Sequence, residues 1–156
     1  MDQFTGQAKS LNEVILELPK GQRPDPASYM TQAQIDEHLA LFEDGVTKIK
    51  GSAPTGTEGP PGGTFVMPKA EADRIIRESG GDVHRLEDLL GLEHGTLGAG
   101  PVRVDIANPS GLRVPSGNEL GANSQWIPGG RTSGGIPEAA ISPVPPGQYQ
   151  VVPIYD

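Results

Sequence analysis

Two glutamates in the second half of the chain are of the residue type that acid–base or glycoside chemistry needs. Glu119 and Glu138 lie within residues 108–138, a stretch with seven Gly and four Pro in which charged residues are sparse. A glutamate beside a sugar or a water can act as a general base or stabilise a developing oxocarbenium ion. We therefore predict Glu138 and Glu119 as catalytic residues, although each alone is more typical of a solvated surface charge.

The same stretch contains cations and the only tryptophan of the chain, Trp126. A guanidinium fork binds phosphate or carboxylate, and glycines let backbone N–H groups come close to a ligand. Arg113, Arg131 and Trp126, together with the hydroxyls of Thr132 and Ser133, therefore predict a cleft for a small polar, anionic ligand. The alternative interpretation is a loop-rich edge of a small β fold, in which Trp126 fills a core short of aromatic residues.

A further arginine lies on the clearest strand pattern of the sequence. The segment Val102–Ile106 alternates apolar and charged residues with period two, which places Arg103 and Asp105 on the same side. Arg103 is therefore available either to bind a ligand or to pair locally with Asp105.

Several kinds of site are absent from the sequence. It has no cysteine, its three histidines lack metal-binding spacing, and neither GxxxxGK[ST] nor G-x-G-x-x-G occurs, so we expect no metal site and find no nucleotide fingerprint. The 156 residues carry a formal charge of −8 without a basic cluster, which disfavours binding of long nucleic acids. No apolar run approaches the roughly 20 residues of a membrane span, and the acidic N-terminus does not resemble a Sec signal.

The pattern of helices and strands predicts an α+β fold. Thr31 can cap a helix over Gln32–Glu43, Pro68 precedes a helix over Lys69–Ser79, and Asp82 caps another that ends at Gly91. Short extended segments, separated by turns, follow from residue 102 onward. N-terminal helices followed by a small, mainly antiparallel sheet with Gly/Pro-rich loops are the expected architecture.

The composition also divides the chain. Residues 1–28 form a polar, Pro-containing segment that we predict to be flexible, and residues 29–156 form a single domain. Within the domain, residues 51–64 contain five Gly and three Pro, and this composition predicts a mobile loop.

Four blocks of the sequence resemble the C-terminal toxin modules of bacterial polymorphic toxins: residues 29–45, 63–92, 102–130 and 132–139. Such modules end long delivery proteins of the Rhs, contact-dependent inhibition or type VI secretion kinds. The resemblance implies a secreted effector that is delivered into a target cell and acts in its cytoplasm. It also implies two partners, a delivery protein and a cognate immunity protein that protects the producer.

The resemblance also implies a choice among toxin activities. The absence of cysteine removes zinc deaminases, and the acidic charge balance counts against nucleases, which leaves enzymes that consume NAD. ADP-ribosyltransferases of this kind pair an arginine on an early strand with a Ser/Thr-containing strand and a late glutamate. Arg103, Thr132 or Ser133, and Glu138 correspond to these positions. The implied function is an ADP-ribosyltransferase-like or NAD glycohydrolase enzyme that uses NAD as substrate and no metal.

Two other functions fit the same observations. A metal-independent ribonuclease of the barnase-like type also places helices before an antiparallel sheet and uses Glu, Arg and His for acid–base work. A small acidic protein can instead be a noncatalytic immunity or adaptor protein that presents a negative face to a toxin.

Overall fold

A computed structural model describes residues 10–122, 126–132 and 134–155 of the protein. The helices are α1 (Leu11–Glu17), α2 (Gln32–Ala40), α3 (Lys69–Ser79) and α4 (Val83–Leu90), with a 3-10 turn over Pro26–Ser28. The strands are β1 (Val46–Lys50), β2 (Thr64–Pro68), β3 (Val102–Ile106), β4 (Ala139–Ile141) and β5 (Gln150–Pro153).

The described strands form one antiparallel sheet in the order β4-β2-β1-β3-β5. The prediction of an α+β fold with an antiparallel sheet is confirmed. The predicted order of elements is wrong in one respect, because β1 and β2 precede α3 and α4, so the helices do not all lie before the sheet. Strand β1, VTKIK, is absent from the sequence-based prediction, since its two lysines interrupt the apolar pattern.

Local signals in the sequence determine where the helices begin and end. The capping box of Thr31 and Gln34 starts α2. The helix ends at Ala40, before the predicted Glu43, because the next residues form tighter turns with hydrogen bonds between residues three apart. An example is the bond from the Phe42 N–H to the Leu39 carbonyl at 3.0 Å. Helix α3 spans its predicted range. Helix α4 follows Asp82, whose carboxylate accepts from the first backbone N–H groups of the helix.

Both faces of the sheet are covered by apolar side chains. On one face lies a buried cluster of Phe42, Val46, Val66, Val104, Ile106, Ala139, Ile141 and Val144. On the other face, Ile75, Leu86, Leu97 and Ile136 form a second cluster beneath α3 and α4. Strand β1 contributes Val46 to the first cluster and Ile49 to the second, and its alternation places Lys48 and Lys50 on the Val46 side.

The N-terminal segment is attached to a distant loop. The Asn118 side chain accepts from the backbone N–H of Gly21 at 2.8 Å and of Arg23 at 3.0 Å, and its amide donates to the Arg23 carbonyl at 2.9 Å. Lys20 donates to the carbonyl of Leu120 at 2.9 Å.

The loop over residues 51–64 is also bonded to a distant part of the domain. Glu58 and Val144 exchange two backbone hydrogen bonds. The flexibility predicted for residues 1–28 and 51–64 stays a prediction.

Close packing between Gly117 and Trp126 gives a prediction for stability. Gly117 has φ +89°, and a Cβ there would lie 2.5–2.7 Å from three indole carbons of Trp126, whereas Gly147 has φ +88° and open space around it. Gly147→Ala should lower the free energy of unfolding by about 1–2 kcal/mol, the cost of a left-handed backbone. Gly117→Ala should cost roughly 1–3 kcal/mol more, because the indole must move. Urea unfolding of both variants checks this, and equal losses would contradict the packing described.

Candidate functional site

The sheet opens between its central strands. Strands β1 and β2 are paired at Val46 with Pro68 and at Thr47 with Met67, and beyond these two pairs they diverge. A cavity of about 700 Å³ occupies the opening, and we call it the central cleft. The loop between the two strands forms one wall, and the end of α4 and residues 132–138 form others. The side chains of the cleft that bear on chemistry are Lys48, Lys50, Glu58, Phe65, Thr132 and Glu138.

The backbone of Glu138 is held on both sides. Its N–H donates to the carbonyl of Gly130 at 2.7 Å, and its carbonyl accepts from Nε2 of the buried His38 at 2.8 Å. Because a carbonyl can only accept, the His38 ring carries its proton on Nε2 in this contact. The His38 ring lies flat against Gly130, where any Cβ would be 2.6 Å from Nε2. Glu138 is therefore fixed in the cleft, directly before β4.

The environment of Glu138 makes its carboxyl a weak acid. Burial raises the pKa of Glu138 to about 7, with the charge of Lys48 lowering it and the charge of Glu119 raising it further. A carboxyl with a pKa near neutrality exchanges its proton readily at physiological pH, which is the property of a general acid or base.

Lys48 is the second group of the cleft with a shifted pKa. Burial lowers the pKa of the Lys48 ammonium, against the opposing charges of Glu58 and Glu138. Its Nζ donates to the carbonyl of Phe65 on β2 at 3.2 Å, across the opening between the strands. An ammonium group at the wall of a cleft can bind phosphate oxygens through charge-assisted hydrogen bonds.

Glu58 and Lys50 form an ion pair at the wall of the cleft. Lys50 Nζ lies 2.8 Å from Glu58 Oε2, and Glu58 is only 1% exposed. The other carboxylate oxygen, Oε1, has no hydrogen-bond partner among the described residues.

The predicted catalytic residue Glu119 has a different environment. One of its carboxylate oxygens accepts from the Ser116 N–H and hydroxyl, both at 3.0 Å, and the other accepts from the Gly117 N–H at 2.9 Å. All of these bonds lie within its own loop. Glu119 therefore shapes the loop, and it affects the cleft through its charge, which acts on Glu138.

The predicted ligand-binding arginines do not line the cleft. Arg103 pairs with Asp73 at 2.7 Å and with Asp105 at 3.0 Å, so the local pairing considered from the sequence is present. Arg113 donates to the carbonyls of Gly111 and Gly62. Arg131 donates to the carbonyl of Gly135 at 3.2 Å. The cations of the cleft are Lys48 and Lys50 instead.

Of the other predicted binding residues, Trp126 is in the core and Thr132 is at the cleft. Trp126 is 2% exposed and lies beneath the guanidinium of Arg23, 4.8 Å from the ring centre. The hydroxyl of Thr132 accepts from the N–H of Ile136 at 3.2 Å in a tight turn that precedes Glu138. Ser133 lies outside the described residues.

Sequence reasoning missed three charged residues of the cleft, although two patterns point to them. Lys48 and Lys50 are two residues apart, which is the period of one strand face. Glu58 is the only charged residue of the Gly/Pro-rich segment 51–64. A lone carboxylate among small residues, close in sequence to two same-facing lysines, is the pattern that predicts this site.

Metal and membrane features are not found in the described part of the chain. No group of three or more His, Asp or Glu side chains is arranged there to hold a metal ion. Outside the cleft, the rings of His84 and His94 stack 4.5 Å apart, and each is bonded to a carboxylate near α4. None of the described helices is long and apolar enough to cross a bilayer.

The raised pKa of Glu138 predicts how stability depends on pH. The folded protein holds this proton more tightly than the unfolded chain, in which a glutamate titrates near 4.3. The free energy of unfolding should therefore fall as pH rises from about 4.3 to about 7, by on the order of 1–3 kcal/mol for this group. Glu138→Gln should remove this pH-dependent decrease in the free energy of unfolding. Glu43→Gln, at an exposed position, should leave the decrease unchanged. Chemical denaturation at several pH values measures the difference, and parallel curves for Glu138→Gln and wild type would refute it.

Comparison of the chain with known protein families, with curated proteins and with solved structures finds no match. What the central cleft does is therefore inferred from its own residues.

Proposed function

We propose that the protein is an antibacterial effector enzyme that consumes NAD by cleaving the bond between nicotinamide and ribose. The observation that carries this proposal is a carboxyl with a pKa of about 7, Glu138, in a cleft of about 700 Å³ that also contains the half-buried cation Lys48, whose charge acts on it. Sites for small molecules and cofactors usually have volumes of about 300–1,000 Å³, and perturbed pKa values concentrate in them.

The cleft has groups suited to the parts of NAD. Lys48, which reaches the opening between β1 and β2, is the cation for the pyrophosphate. Phe65 lines the cleft and is half-buried, so its ring can stack on nicotinamide or adenine. In this proposal Lys48 binds the pyrophosphate and Phe65 stacks on a ring of NAD, in place of the arginines and Trp126 that the sequence suggested. NAD remains the proposed substrate, without a metal.

The proposed reaction uses Glu138 twice. The C1′–N bond breaks, its electron pair leaves with nicotinamide, which becomes neutral, and the ionised Glu138 carboxylate stabilises the ribosyl cation. A water molecule then adds to C1′ and gives its proton to Glu138, which releases it to solvent. The products are nicotinamide, ADP-ribose and one proton. If a nucleophilic side chain of another protein replaces water, the same steps give ADP-ribosylation.

The biological setting follows from the toxin resemblance and is part of the proposal. The protein would be delivered into a target cell by a secretion-system protein and act in the cytoplasm, where NAD is available. A cognate immunity protein would protect the producing cell. Such a partner needs only to cover the central cleft in order to block substrate entry.

A metal-independent ribonuclease is the second candidate, because the pair of Glu138 and Lys48 also suits it. A base with a pKa of about 7 can take the proton of a ribose 2′-hydroxyl, and a nearby ammonium can stabilise the negative charge that develops on phosphate. The formal charge of −8 weighs against a long RNA substrate.

Incubation of the purified chain with NAD, and separately with total RNA, tests both candidates. We expect nicotinamide release whose rate rises about tenfold per pH unit below 7 and levels off above it, because Glu138 must be ionised. Glu138→Gln should lower kcat by about 100-fold or more with KM little changed, since the charge acts mainly in the transition state. Glu119→Gln should have a smaller effect, because its oxygens are bonded within their loop.

The other outcomes are also informative. RNA cleavage without nicotinamide release would replace the NAD proposal with the ribonuclease. Neither activity, from a chain shown by circular dichroism to be folded, would favour the noncatalytic immunity or adaptor protein.

Expression in bacteria tests the effector part of the proposal. The wild-type chain should arrest growth and lower cellular NAD, whereas Glu138→Gln, expressed at the same level, should do neither. Glu43→Gln, which removes the same charge at an exposed position, should remain toxic. Harmless expression of the wild-type chain would contradict a toxin that acts in the cytoplasm.

A further inference from the structure

One pair is missing from the ladder between β1 and β2. The strands are paired at Thr47 with Met67, and two positions further along the same register places Ile49 opposite Phe65. Ile49 and Phe65 do not form a ladder pair, and both are partly exposed and line the central cleft. The hydrogen-bonded ladder therefore stops at a defined place, between these two residues.

The backbone N–H and carbonyl of Phe65 point toward the cleft. Phe65 lies opposite Ala140 of β4, and Ala140 exchanges both of its backbone hydrogen bonds with Arg113, at 2.8 and 2.9 Å. Opposite residues in an antiparallel ladder exchange either both bonds or neither, so Phe65 and Ala140 exchange neither. The backbone groups of Phe65 are therefore directed to the other edge of β2. At that edge the Phe65 carbonyl accepts from Lys48 Nζ at 3.2 Å.

The backbone groups of Ile49 point toward the cleft from the other side. The Ile154 N–H donates to the Pro101 carbonyl at 3.1 Å, so Pro101 directs its backbone groups toward β5. Arg103, two positions further along, also faces β5, because successive residues of a strand alternate between its two edges. The pair of Ile49 and Arg103 is therefore not hydrogen-bonded, and the N–H and carbonyl of Ile49 face β2.

An extended polypeptide is complementary to this gap. Its middle residue can exchange two hydrogen bonds with Ile49 in the antiparallel pattern, while the residues on either side bond the N–H and carbonyl of Phe65 in the parallel pattern. Only the Lys48 side chain has to leave the Phe65 carbonyl. The side chains of Ile49 and Phe65 lie on the same face of the sheet, so an apolar middle residue packs between them. Three residues therefore satisfy both strand edges.

We propose that the central cleft is a docking site for an extended segment of a partner protein, which inserts between Ile49 and Phe65 with an apolar residue at its middle. Recognition of this kind obtains affinity from main-chain hydrogen bonds and specificity from alternate side chains. The inference goes beyond the proposed function, because it rests on backbone geometry and not on chemistry at Glu138. A segment in this position also blocks access to Glu138, which lines the same cleft.

Hydrogen exchange in the free protein tests whether the gap is open. NMR compares the amides of Ile49 and Phe65 with those of Thr47 and Met67, which belong to the last complete pair. After correction for intrinsic rates, we expect the first two amides to exchange at least about tenfold faster than the second two. Equal protection of all four would show that the gap is closed and would overturn the proposal.

Synthetic peptides test the docking itself. The probe is the capped pentapeptide Thr-Thr-Val-Thr-Thr at roughly 1 mM, and its matched control carries N-methyl groups on the three central residues. The control keeps the side chains but lacks the backbone donors. We expect the probe to slow exchange of the Ile49 and Phe65 amides, and the control to bind at least about tenfold more weakly. A peptide with serine in place of valine should also bind more weakly, because its hydroxyl lies between two apolar side chains.

The outcomes separate this inference from the proposed function. Unchanged exchange at Ile49 and Phe65 in the presence of the probe, or equal binding of the N-methylated control, overturns the docking site. Nicotinamide release is measured in parallel. Release that the probe inhibits supports both proposals, whereas peptide binding by a chain that releases no nicotinamide supports the docking site and contradicts NAD consumption.

Discussion

The early end of pairing between β1 and β2 is the constraint on which the rest of the site depends. After two residue pairs the hydrogen-bond ladder between the two strands ends, and a cleft lies between them at the centre of the sheet. An opening at this place exposes groups that a continuous sheet would keep apart from ligands. The side chains of Lys48 and Lys50 enter the opening, and charged partners must then stabilise them, because ammonium groups are costly to bury alone.

The charges of the cleft balance one another. Lys50 forms an ion pair with Glu58, and the negative charges of Glu58 and Glu138 both raise the pKa of Lys48. Burial lowers the pKa of Lys48 and raises the pKa of Glu138, so both pKa values shift toward the neutral pH range. An acidic protein can in this way hold two partly buried lysines in a cleft of its sheet without a basic surface.

Elements with local signals could be predicted from the sequence, whereas the cleft could not. Helices α3 and α4 have capping and stop residues within a few positions, and β3 alternates strictly, so their ranges follow from the sequence. Of the predicted site, Glu138 and Thr132 lie at the cleft. Local patterns do not predict the ion pair of Arg103 with Asp73 or the hydrogen bond of Arg113 to the Gly62 carbonyl, because these partners are distant in sequence. For the same reason, the sequence predicts a mobile loop over residues 51–64, although this segment forms a wall of the cleft.

Glu119 illustrates how distant parts of the chain affect the acid strength of the site. Its carboxylate is fixed by the loop at Ser116 and Gly117, and that loop is tied to the N-terminal segment through Asn118. The charge of Glu119 raises the pKa of Glu138, so this effect depends on where the loop lies. His38 holds the backbone of Glu138 through the hydrogen bond from its Nε2 to the Glu138 carbonyl. Residues outside the cleft therefore influence both the position of the Glu138 backbone and the proton affinity of its carboxyl.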